Sequence, residues 1–266
     1  MKNFIKGFFV GIFNITPGLS GSVLLVVLNL YEKCINEISN IFKTPRKSII
    51  FLTPIAIGVI LGIFSFSNII YLLINSYKKE TFIVFTGFIF GTIPHLIKES
   101  TRNGFKESYL ISFIITLLIG ITMLFFKPTF ISYNIDYNFL SILKYIFIGF
   151  LLSLSTIIPG ISSTILLSIF NFYGIYIISI TKLNLLVLCP IFIGFIIMTF
   201  ILSKFISYLF KNYYGYTYFA ILGFTIATIP TLLDFNIIIS TNIIISIFLS
   251  IIAFLITNYF LQVQDE

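Results

Sequence analysis

Two short segments carry residues able to hold an anion where no acidic side chain competes. Pro17-Gly18-Leu19-Ser20-Gly21-Ser22 and Pro159-Gly160-Ile161-Ser162-Ser163-Thr164 each interrupt an apolar run and then supply hydroxyls and small residues. Proline has no N–H to donate and glycine tolerates a tight bend, so each segment ends one helix and lets another begin. The first N–H groups of the new helix have no intrahelical partner, and its dipole places partial positive charge there. Ser20, Ser22, Ser162, Ser163 and Thr164 add hydroxyl donors, and Gly21 lets a ligand approach the backbone. A small site rich in donors and lacking acids suits a phosphate or a carboxylate. The plainer role of these hydroxyls is to cap the broken helices, with Pro-Gly only permitting close packing.

The elements that must position these segments are membrane helices. Hydrophobic residues make up 58% of the 266-residue chain, charged residues only 9%, and mean hydropathy is +1.10, which excludes an ordinary soluble domain. With no Trp among the aromatics, Tyr31, Tyr77, Tyr133, Tyr173 and Tyr213 are the expected interfacial anchors. The net charge of +7 fits anionic partners, but basic residues also mark cytoplasmic loops; nothing points to nucleic acid.

The two Pro-Gly segments belong to a longer duplication. An offset of 142 relates Lys2 to Lys144, Gly7 to Gly149, Pro17 to Pro159, Ser20 to Ser162 and Tyr31 to Tyr173. Downstream the offset is 136, relating Pro54 to Pro190, Gly58 to Gly194, Tyr77 to Tyr213, and Thr92-Ile93-Pro94 to Thr228-Ile229-Pro230. The halves are therefore read as residues 1–130 and 131–266, differing by one loop. Each half predicts an all-α unit of one Pro-Gly hairpin and three spans: hairpin 4–30 with spans 49–74, 81–97 and 109–126, then hairpin 145–173 with spans 185–210, 217–233 and 242–260. The arms flanking Pro17-Gly18 are each near half a bilayer in length, so the hairpins are read as re-entrant, with their turns near the midplane.

Charge placement fixes an orientation. With both ends of the first hairpin inside, Lys2, Lys6, Lys33, Lys43, Arg46, Lys47, Lys98, Arg102, Lys106, Lys204 and Lys211 are cytoplasmic, and Lys78, Lys79, Lys127, Lys144 and Lys182 are outside. An odd number of full spans per half makes the repeats inverted, with a site where the two hairpin turns meet, whereas reading each Pro-Gly segment as one broken full span would give four crossings and parallel repeats. A leader peptide is not expected from the basic N-terminus, because the same pattern recurs at residue 149.

Other residues have plainer roles beside functional ones. Lys6 and Lys144 could add charge near the entrances, or simply snorkel. Asn14, Asn29, Asn171, Thr16, Thr92 and Thr228 offer side-chain oxygens for a cation, leaving coupling to a sodium or proton gradient open. Cys34, Cys189 and the single His95 lack metal-site spacing, so neither a metal nor another cofactor is expected. Hydrolysis by a membrane phosphatase would need acid/base groups and a clamp on phosphate, and no Asp, Glu or Arg falls inside the inferred spans. An ion-coupled carrier of a polar solute would need more intramembrane polarity than is evident. A lipid with an anionic head is the substrate these residues suit.

Pro17-Gly18-Leu19-Ser20-Gly21-Ser22, Gly87-Phe88-Ile89-Phe90-Gly91-Thr92-Ile93-Pro94 and Ile157-Ile158-Pro159-Gly160-Ile161-Ser162 together resemble the polyprenyl-phosphate transporter family over nearly the whole chain. The resemblance implies a multi-pass protein of the bacterial cytoplasmic (inner) membrane that returns undecaprenyl phosphate from the outer to the inner leaflet for cell-envelope synthesis. Three departures from that family's pattern stand out. Asn14 replaces an acidic residue, which weakens a proton-coupling role there; Ser163 replaces a glycine; Asn29 and Asn171 replace glycines before the tyrosines.

Overall fold

The computed structural model describes residues 2–15, 21–123, 125, 136–161, 163–232 and 243–265, and every regular element among them is a helix. In chain order these are α1 (Lys2–Ile15), α2 (Gly21–Val27), α3 (Tyr31–Ser39), α4 (Pro45–Ser76), α5 (Lys78–Ser100), α6 (Tyr109–Met123), α7 (Phe139–Ile157), α8 (Ser163–Ile169), α9 (Tyr173–Thr181), α10 (Leu185–Asn212), α11 (Tyr214–Leu232) and α12 (Ile243–Asp265). By length and composition alone, Pro45–Ile70, Lys79–Ser100, Phe139–Ile157 and Leu185–Asn212 can cross a membrane, while Tyr109–Met123 and Ile244–Tyr259 are apolar but shorter.

Three sequence expectations need correction. The stretches after each hairpin, outside every predicted hairpin and span, contain the helices α3 and α9, so Glu32 and Glu37 are helical. The first arm of the second hairpin starts at Phe139 instead of residue 145, because the Asn138 side chain accepts a hydrogen bond from the Ser141 N–H at 2.8 Å and caps an extra turn. At 19 residues, α7 is longer than half a bilayer. Tyr31 is also not a lipid-facing anchor: it is 3% exposed and its hydroxyl donates to the Ile157 carbonyl.

Glycines set the main pairings. Any Cβ on Gly7 would run into the Ile55 carbonyl, and one on Gly11 into Val59, so α1 lies parallel and very close to α4. Gly149 and Gly194 do the same for α7 and α10, where Ser153 and Thr199 also hydrogen-bond at 2.9 Å. Gly87 and Gly91 seat α5 along α12, and Gly215, Gly223 and Gly120 seat α11 along α6. In lipid, such close backbone approach replaces the hydrophobic driving force between helices. Gly194→Val should therefore cost about 1–3 kcal/mol by overpacking and lower the thermal midpoint in detergent; an unchanged midpoint would mean that α7 and α10 separate freely.

Helix directions follow from cross-chain contacts. Ser207 on α10 hydrogen-bonds Asn36 on α3, and the Tyr31 and Phe210 rings meet at 5.7 Å, so α10 ends where α1 and α4 begin. Tyr214 opens α11 by donating to Glu99 near the end of α5 at 2.7 Å, whereas Leu232 at the far end of α11 clusters with Phe85. Thus α5 and α11 cross antiparallel, and α1 with α4 runs opposite to α7 with α10. One end of the molecule accordingly gathers Lys33, Glu37, Lys47, Glu99 and Arg102. There the Ser48 hydroxyl, at 2.8 Å, and Lys47 Nζ, at 3.2 Å, pin Glu37 to the start of α4 and hold its carboxyl below the usual range.

Both hairpins return along their own first arm. Lys6 Nζ donates to the Leu28 carbonyl at 2.9 Å, which brings the end of α2 back to the start of α1. In the second, the Phe147 ring meets Phe170 at 5.5 Å. Each return ends in the same cap. Leu30 N–H reaches the Leu25 carbonyl and Asn29 N–H the Val26 carbonyl, while Phe172 and Asn171 repeat this on Leu167 and Ser168. The cap needs a left-handed residue, and Asn29 (φ 54°) and Asn171 (φ 57°) supply it, asparagine being among the few non-glycine residues that tolerate that region.

Among the described residues the two halves differ in how their short helices pack. α3 packs against α10, but among the described residues α9 has no corresponding seat on α4.

Candidate functional site between the two hairpins

Where α9 stands off, a cavity of about 830 Å³ opens between α7, α8, α9 and α10 and reaches the end of α1. Its polar lining comes from Asn14 in the first half and from Thr156, Ser163 and Tyr176 in the second; Leu152, Ile180, Leu188 and Phe192 make the rest apolar. Cys189 also faces it and is an exposed free thiol, whereas Cys34 is buried in the contact of α3 with its neighbours. Among the described residues no acidic or basic side chain lines the cavity. A head group there must find hydroxyl, amide and backbone donors, while a hydrocarbon chain has an apolar wall to follow.

Gly160 fixes the second hairpin turn. Its φ is +87°, and an added Cβ would sit 2.7 Å from Phe224 Cβ and 2.8 Å from the Phe224 backbone carbon. Pro159 beside it is fully buried. The turn is therefore wedged against α11, and α8 restarts at Ser163, whose side chain is half-buried at the cavity.

The sequence-derived candidates separate into groups. Asn14 and Ser163 share the cavity. Gly21 and Ser22 are buried at the start of α2, where a Cβ on Gly21 would lie 3.1 Å from the Asn14 side chain and from the Val10 carbonyl; they back Asn14 instead of lining the cavity. Pro17, Gly18, Ser20 and Ser162 lie outside the described residues, and Thr164 falls within α8. Lys6 bonds the Leu28 carbonyl, and Lys144 is exposed near the start of α7. Thr92 donates to the Ile89 carbonyl and Thr228 to the Thr225 carbonyl, both at 2.7 Å, and neither reaches the cavity. Sequence reasoning passed over Thr156, Tyr176 and Cys189. Their place depends on α9, whose short apolar helix carried no signal of its own.

A second cavity, of about 750 Å³, lies at the charged end near Arg46, Lys47 and Glu37.

Apolar spans packed through glycines define a multi-pass membrane protein. The chain matches the family model described as undecaprenyl phosphate translocase-like (VCA0040-like) over residues 3–109 and 93–248, and it belongs to that family. It is 30% identical over 237 residues to a protein of Staphylococcus aureus (strain NCTC 8325 / PS 47) named polyprenyl-phosphate transporter, covering 85% of this chain and 84% of that one. A protein of Vibrio cholerae (serotype O1, strain ATCC 39315 / El Tor Inaba N16961) with the same name is 34% identical over 84 residues, 31% of this chain and 25% of that one. These are names of transporters, not of enzymes. No solved structure matches.

Proposed function

We propose that this chain carries a polyprenyl phosphate, undecaprenyl phosphate in the bacterial cytoplasmic membrane, from the outer to the inner leaflet for reuse in cell-envelope synthesis. The observation that carries this reading is the cavity in which Asn14 of the first half and Ser163 of the second face one space beside an apolar wall. The phosphate is held by these donors and by the N-terminal end of the broken helix, and the isoprenoid tail follows the apolar side toward lipid. The names of the relatives support the substrate class.

The two halves act as inverted repeats with re-entrant hairpins. The opposite directions of α1 and α7, the return of α2 to Lys6, and the matched glycine seams support that arrangement. Alternating access then follows from an asymmetry between the halves: α3 seals against α10 at the charged end, while α9 leaves the other end open. The clustering of basic residues makes the sealed end cytoplasmic, so the cavity faces the outer leaflet. No cofactor enters this reading. A coupling cation, if a sodium or proton gradient drives the cycle, would meet the head group at Asn14.

The native thiols test it. In proteoliposomes of known orientation, an impermeant maleimide should label Cys189 and spare Cys34, and a short-chain polyprenyl phosphate should protect Cys189 where the corresponding alcohol does not. Equal labelling with and without the phosphate lipid would remove the head group from this cavity.

A further inference from the structure

Among the described residues, Asn14, Ser163 and Tyr176 line the cavity beside α9 and spend no side-chain hydrogen bond within the protein. Thr156 differs, because its hydroxyl donates to the Leu152 carbonyl at 2.8 Å. The three come from three separate elements, α1, α8 and α9. The Tyr176 ring packs against the buried cluster that holds Ile175 and Val187, which fixes where its hydroxyl sits. Burial and the neighbouring Tyr173 push its ionisation up, so it keeps its proton and stays a donor.

The duplication separates these hydroxyls from what the fold itself needs. The offset of 142 pairs Asn14 with Thr156, Gly21 with Ser163, and Cys34 with Tyr176. The first half therefore builds the same hairpin and the same short helix with a glycine and a buried cysteine at these places. Neither the Ser163 nor the Tyr176 hydroxyl is required to form the element that carries it.

We propose that Tyr176 is a specificity-determining residue: it supplies the third donor of a set that accepts a terminal phosphate monoester and rejects the phosphodiesters of bulk phospholipids. The proposal rests on the transport reading above. A monoester presents three terminal oxygens, whereas a phosphodiester has one of them blocked by its second ester bond. Three donors from three elements match the first head group and leave one donor unmet on the second, and an unmet polar group in a partly closed site is what makes it reject a near-analogue. With no charged side chain lining the cavity among the described residues, the number of donors is the means of choice left to it. A carrier in a phospholipid bilayer needs that choice, because phosphodiesters surround every opening.

Tyr176→Phe, which keeps the ring and removes the hydroxyl, tests this. In proteoliposomes, protection of Cys189 from an impermeant maleimide is titrated with a short-chain polyprenyl phosphate and with its methyl phosphodiester. With the parent protein, the monoester should protect at a mole fraction about tenfold lower than the diester. The variant should need about tenfold more monoester and, within about twofold, the same amount of diester, so that the preference disappears. A folded variant that keeps the parental preference would overturn the proposal. So would a parent protein that takes the two lipids equally, a result that needs no variant. Protection of the parent by neither lipid would instead remove the head group from this cavity and sink the transport reading itself.

Discussion

Replacing Pro159 and Gly160 together by alanine should abolish lipid transfer while the protein still inserts. Alanine is the better helix former by about 3 kcal/mol over proline and about 1 kcal/mol over glycine, so the pair favours joining α7 to α8 as one continuous helix. The existing turn cannot accept the new side chain. Gly160 has φ +87°, where an L residue costs roughly 1–2 kcal/mol, and its added Cβ would sit 2.7 Å from Phe224 Cβ. Either outcome moves Ser163 out of the cavity and removes the unpaired N–H groups offered at the start of α8. The repeat gives the same expectation for Pro17 and Gly18. Transfer within a few-fold of the parent, in protein that elutes as a single folded species, would show that the broken helix is a packing device alone.

Asn14→Leu combined with Ser163→Ala should have the next largest effect. Each removes a donor facing the one cavity, from opposite halves. Hydrogen bonds to a charged partner contribute about 1.5–3 kcal/mol, so each single change should weaken binding of a polyprenyl phosphate by roughly 10- to 100-fold. The two effects should deviate from additivity, since both groups touch the same head group. Ser20 and Ser162 carry the same expectation from sequence. If the double variant binds within about twofold of the parent, the hydroxyl and amide serve the fold and not the ligand.

Much of this arrangement was legible in the sequence because membrane helices and their interruptions leave strong local marks. The Pro-Gly turn at 159–160 was readable from residue type alone, since only glycine fits a left-handed turn pressed onto another helix. Asn29 and Asn171 stand where the family's pattern has glycine, and their positive φ in matched helix caps explains why. The offsets of 142 and 136 likewise pair the glycines that seat α1 on α4 and α7 on α10.

What escaped was set by tertiary contact. Thr156, Tyr176 and Cys189 line the cavity only because α9 stands away from α4, and a duplicated sequence gives no hint of which half will be open. Tyr31 looked like an interfacial anchor, yet a buried tyrosine needs a partner for its hydroxyl and finds it across the molecule at Ile157. Thr92 and Thr228 were attractive as polar residues in spans, but threonine within a helix readily returns its hydroxyl to its own backbone, as both do here.

The central claim is most directly tested by following a short-chain polyprenyl phosphate between leaflets of liposomes that hold the purified protein, using a probe that cannot cross the bilayer. The account predicts that the lipid redistributes with the parent protein, not with the Pro159→Ala, Gly160→Ala double variant, and that no inorganic phosphate is released. A lipid that stays in its leaflet, or that loses its phosphate, would contradict it.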